Sequence, residues 1–91
     1  MSLPLIATEK SFEPPIHIAS VIAHTRPEFS TKTRDWLNAL PYAEVHAEGQ
    51  GKLVVVLETD SERKIHELLE GLSALPGALS AVLVYHEIVG A

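Results

Sequence analysis

Ninety-one residues, 46% of them hydrophobic and 21% charged, are enough for one globular domain and leave no room for a second functional module. The chain has no cysteine, which excludes a disulfide framework and any thiolate metal site. Seven basic against twelve acidic residues give a net charge of −5, the wrong sign for a nucleic-acid surface and the right one for a partner carrying Lys or Arg.

The first segment, Met1–Pro15, holds one short apolar run, Leu3 to Ala7, with no positive charge before it and too few residues for a signal or membrane segment. A flexible tail over 1–15 and a folded domain over 16–89 of a cytoplasmic protein, with no membrane span, are therefore expected. Ile16–Ala23 is aliphatic or β-branched at nearly every position and reads as a first strand with little exposed surface. Thr25-Arg26-Pro27-Glu28 has the form of a capping box. Phe29, Thr33, Trp36, Leu37 and Leu40 then draw one apolar stripe along a first helix, which Pro41 ends.

Ala43–Glu48 alternates small or apolar residues with Glu44, His46 and Glu48, the pattern of a half-exposed strand whose charges suit a sheet edge. Gly49-Gln50-Gly51 supplies the positive-φ residues of a tight hairpin. The third strand follows, with five consecutive aliphatic residues from Leu53 to Leu57 that demand cover on both faces. A second capping box, Thr59 to Glu62, opens a second helix with Ile65, Leu68, Leu69 and Leu72 on one face, and Pro76-Gly77 stops it. Leu79–His86 is the fourth strand.

An internal repeat sets the topology: Leu37-Asn-Ala-Leu-Pro41 and Leu72-Ser-Ala-Leu-Pro76 match at an offset of 35 residues. Two right-handed βαβ units joined by a Gly hairpin give βαββαβ, an α+β ferredoxin-like plait with both helices on one face of a four-stranded antiparallel sheet. Strands one and three are central. The same offset turns Ile18, Ile22, Leu53, Val55 and Leu57 toward the helices and leaves Ala19, Val21, Val54 and Val56 on the open face. In the fourth strand it puts Val82 and Val84 inward and Leu83 and Tyr85 outward, although hydropathy alone permits the reverse. So apolar an open face implies a docked peptide or a homodimer through the sheet face.

Chemistry is sparse. No two of the five histidines stand at i, i+2 or i, i+4, so no metal or cofactor is expected, and only His17 and His86 fall on neighbouring strands. There is no phosphate loop, no serine elbow and no spaced carboxylate pair, hence no catalytic residue and no enzyme. Arg26 stands alone, without a glycine-rich cradle, and reads as a helix-start surface residue. RNA stacking is excluded by the absence of aromatics from the two central strands. A free-standing small-molecule-sensing or dimeric regulatory module of the same plait remains as the alternative.

The segments Ile18-Ala-Ser-Val-Ile22, Leu37-Asn-Ala-Leu-Pro41, Gly51-Lys-Leu-Val-Val-Val-Leu-Glu58 and Leu83-Val-Tyr-His86 together resemble the NapD family, cytoplasmic assembly chaperones of periplasmic nitrate reductase. The resemblance covers roughly Ile16 to Glu87. It implies a protein that binds the twin-arginine signal peptide of the catalytic subunit and delays export until the cofactor is loaded. On that reading Ala19, Val21, Val54, Val56, Leu83 and Tyr85 line the peptide site. Glu58 and Glu87 meet the arginines at its rim.

Overall fold

The structure, a computed structural model, describes residues 15–90, so the expected tail lies outside the described residues except for Pro15. Strand β1 spans Ile16–Thr25, a 3-10 turn covers Pro27–Phe29, and helix α1 runs Ser30–Asn38. Strands β2 (Ala43–Gly49) and β3 (Lys52–Thr59), helix α2 (Glu62–Ala74) and strand β4 (Ala78–Val89) follow among the described residues. All four strands form one antiparallel sheet in the order β2-β3-β1-β4, with β1 and β3 central, which is the α+β ferredoxin-like arrangement.

One apolar core lies between the helices and the sheet. Leu37 of α1 and Ile65, Leu68 and Leu72 of α2 are buried in it, with Trp36, Leu40 and Leu69 packed at its border, so the expected helical stripes are the buried ones. Each fully buried Leu or Ile contributes about 1.5–3 kcal/mol of transfer free energy. Trp36 lies so close to Gly71 that an added Cβ there would come within 2.7 Å of its ring, which fixes how near the two helices approach.

The hairpin between β2 and β3 has Gln50 and Gly51 as its two central residues, at φ 55° and 79°, the positive angles that a type I′ turn requires. Gly51 is further constrained because its carbonyl accepts the Thr25 N–H at 2.7 Å and a Cβ on it would sit 2.3 Å from the Thr25 carbonyl oxygen. That bond also explains why the first capping box does not close. Glu28 would have to reach the Thr25 N–H, which Gly51 already holds, and Glu28 pairs with Arg26 at 2.9 Å. The second box is likewise absent: Ser61 is the N-cap, and the buried Thr59 hydroxyl accepts the Ser61 N–H at 3.2 Å in a local turn.

The facing of β1 differs from expectation. Ala19, Val21 and Ala23 are buried in the core, opposite Leu57, Val55 and Leu53 of β3, while Ile18, Ser20 and Ile22 point to the other face. The helices repeat at an offset of 35 residues, but Ala19, Val21, Ala23 and Thr25 correspond to Leu53, Val55, Leu57 and Thr59 at an offset of 34. From Thr59 to Leu72 there is one residue more than from Thr25 to Leu37, and a one-residue slip inverts every side chain of a strand.

Strand β4 is corrected in the same way. Leu83 pairs with Val21 on the helix side and Val82 with Ile22 on the open side, the reverse of the expected facing, whereas Tyr85 stands opposite Ser20 on the open side. Val84 is a bulge residue with no partner on β1 and is exposed, so it does not join the core as expected. A bulge at His46 in β2 has a parallel effect: Ala47 turns to the open face beside Val54, and Glu48 turns toward α1, where it accepts from Ser30 at 2.7 Å and Arg34 at 3.2 Å.

Candidate functional site

The uncovered sheet face is built in transverse rows fixed by strand register. One end row is Glu58, Ile18 and Glu87, from β3, β1 and β4. Next come Glu44, Val56, Ser20 and Tyr85, then Ala47, Val54, Ile22 and Val82. The far row holds Lys52, His24 and Ser80. From Ile18 to His24 the face runs about 20 Å, at roughly 3.4 Å per residue, and Glu58 and Glu87 stand two strand spacings apart, about 10 Å.

Of the residues expected to line the site, Val54, Val56, Tyr85, Glu58 and Glu87 lie on this face. Ala19 and Val21 do not: both are fully buried beneath the helices. Leu83 lies on the helix side of β4. Ile18, Ile22 and Val82 take their place. Each is apolar and stands one residue from a residue expected to line the site, so the signal that could have found them was strand parity, which β1 hides by being apolar on both faces.

The electrostatics of the face are graded. Three carboxylates, Glu44, Glu58 and Glu87, cluster at one end, and Lys52 and His24 mark the other. Tyr85 donates to Glu87 Oε1 at 2.5 Å, and that bond, followed by partial desolvation and the carboxylate's charge, pushes the phenol above its ordinary pKa. Glu44 also contacts His46 Nε2 at 2.9 Å. Beside this acidic end a groove of about 490 Å³ opens at the β2 edge, lined by Ile18, Tyr42, Glu44, His46, Val56 and Glu58. Burial, and then the charge of Glu67, raises the Tyr42 phenol, so that residue enters the groove wall as a neutral hydrogen-bonding group.

The histidine pair singled out by strand order does come together. His17 Nδ1 and His86 Nε2 are 2.9 Å apart on the helix side of the sheet, one ring donating and the other accepting. Among the described residues no group of three or more metal-ligating side chains converges. Arg26 is a surface residue, ion-paired to Glu28 and 5.9 Å from the centre of the Phe29 ring. No helix among the described residues is long and apolar enough to cross a membrane. What the open face offers is an apolar surface with one acidic end.

Known proteins share this fold. The family model described as NapD protein matches residues 16–88. Chaperone NapD of Paracoccus pantotrophus is 36% identical over 76 residues, covering 84% of this chain and 68% of the relative. The solution structure of the E. coli Tat proofreading chaperone protein NapD superposes with a TM-score of 0.69 at 27% identity, covering 79% of this chain and 78% of that one.

Proposed function

The chain belongs to the NapD family, and from that premise we propose that it is a cytoplasmic, non-enzymatic chaperone that holds the twin-arginine signal peptide of a periplasmic nitrate reductase catalytic subunit on its open sheet face. Binding there delays export until the molybdenum cofactor is in place. The chaperone needs no cofactor of its own, because masking a peptide makes and breaks no covalent bond.

The observation that carries this reading is the polarity of the face. A twin-arginine peptide is a basic segment followed by an apolar one, and the face presents carboxylates at one end of an apolar surface about 20 Å long. A helical apolar segment of about 13 residues spans that length. The arginines would sit over Glu58 and Glu87, with one guanidinium entering the groove between Glu44 and Glu58. The apolar segment would run across Val56, Ile22, Val54 and Val82 toward Lys52. Charge sets the direction and steers encounter, and apolar burial supplies residence.

Titration of isotope-labelled protein with the peptide, followed by amide and methyl shifts, tests this directly. Shifts should concentrate on Ile18, Ile22, Val54, Val56 and Val82, and a peptide with both arginines replaced by Gln should lose the shifts at Glu58 and Glu87 first. Shifts confined to the outer surfaces of α1 and α2, or no shifts at all, would overturn the proposal.

A further inference from the structure

The two edges of the sheet are treated very differently. β2 carries Glu44, His46 and Glu48 and is bulged at His46, features that discourage strand addition. β4 is the longest strand, has no strand beside its outer edge among the described residues, and carries Glu87 as its one acidic or basic residue apart from His86. Every exposed large hydrophobic residue among those described, Ile16 excepted, belongs to it, on both faces: Val82, Val84 and Tyr85 are about half exposed, and Leu79 and Ile88 more so. Half-exposure on both faces of one strand is what a missing neighbouring strand leaves behind.

We propose that this neighbour is β4 of a second copy, paired antiparallel about a two-fold axis between Leu83 and Val84, so that two four-stranded sheets join into one of eight strands. The strand's own sequence points to a copy of itself. About that axis Ser80 stands opposite Glu87, Val82 opposite Tyr85 and Leu83 opposite Val84, so exposed apolar residues meet apolar ones and the two polar residues meet, with Ala81 opposite His86 the one mixed pair. An unbulged strand could not use this register, because residues summing to an odd number lie on opposite faces. The bulge at Val84 shifts the parity of everything after it, so Val82 and Tyr85 are both on the open side, as are Ser80 and Glu87, while Ala81 and His86 are both on the helix side.

Charge agrees with this register. No carboxylate faces a carboxylate, whereas β2 paired with itself about His46 would set Glu44 against Glu48. Joining strand edges buries less area than the roughly 1,600 Å² of a standard interface, so the dimer belongs to the transient class and depends on protein concentration. Each protomer carries a net charge of −5, so added salt should favour association by screening. The proposal stands apart from the peptide reading, although the seam would bring Val82 and Tyr85 of two copies together and double the width of the apolar face.

Sedimentation velocity on the full chain, over a wide concentration range and at low and moderate salt, provides the test. A reversible monomer–dimer equilibrium is expected, tightened by salt. Ser80→Glu places a carboxylate opposite Glu87 twice per dimer and should weaken association by roughly two- to thirtyfold. Adding Glu87→Lys to that variant should restore it, which a merely misfolded variant would not show. Val84→Lys, at an exposed position on the axis, should leave a folded monomer by circular dichroism. A chain monomeric at every concentration would overturn the proposal, as would a dimer indifferent to Ser80→Glu. A dimer broken by Val54→Asp and untouched by Val84→Lys would move the contact to the open face and overturn it equally.

Discussion

Val21 and Ile22 are adjacent in sequence and opposite in consequence, and replacing each by Asp separates the two faces of β1. Val21 is fully buried between Val55 and Leu83, with no polar side chain opposite it on either neighbouring strand. Val21→Asp forfeits the transfer of a buried Val, about 1.5–3 kcal/mol, and leaves an unpaired buried carboxylate, about 3–5 kcal/mol. The sum of about 5–8 kcal/mol matches the whole stability of a domain this small, roughly 5–15 kcal/mol, so the variant should be largely unfolded. Ile22 is half-buried on the open face, and Ile22→Asp keeps its carboxylate in water, giving up about 1 kcal/mol of apolar burial. That protein should fold and lose peptide affinity. Urea unfolding read by Trp36, the single tryptophan, together with peptide titration, gives both numbers. Equal damage from the two substitutions, or unfolding by Ile22→Asp alone, would refute the register and with it the site.

Gly51→Ala should cost at least about 1 kcal/mol, because it puts a Cβ at positive φ against the Thr25 carbonyl, and so lower Tm by roughly 4–8 °C; Gly49→Ala, with open space around its Cβ, should be close to neutral in the same melt. Glu87→Gln should lower the Tyr85 pKa toward the ordinary phenol value, since it removes the carboxylate that raises it, and spectrophotometric titration of the Tyr42→Phe background would show the shift as earlier phenolate formation on raising the pH; an unchanged curve would remove the Tyr85–Glu87 hydrogen bond from the acidic end of the face. Glu58→Gln combined with Glu87→Gln should slow peptide association at low ionic strength and flatten its salt dependence with little change in dissociation, because rim charges act on encounter, and stopped-flow fluorescence would measure both rates.

Much of this molecule is written locally and can be read in chain order. The apolar stripes of α1 and α2, the Gln50-Gly51 turn, the acidic edge of β2 and the outward facing of Val54 and Val56 all follow from short-range pattern, because a helix repeats every 3.6 residues and a strand next to a two-residue turn inherits its register from the turn. Strands β1 and β4 behave otherwise. Both are apolar at successive positions, so period two carries no information about which face is buried, and the tandem repeat misleads by the one residue that separates Thr25–Leu37 from Thr59–Leu72. The bulges at His46 and Val84 leave no local signature, since each is a mismatch between two strands, which neither strand encodes alone. Tertiary pairing therefore decided that Ala19, Val21 and Leu83 turn to the helix side and that Ile18, Ile22 and Val82 form the open face. The chain fixed its elements by composition and spacing, and their faces only when packing beneath two helices made one parity of each central strand buriable.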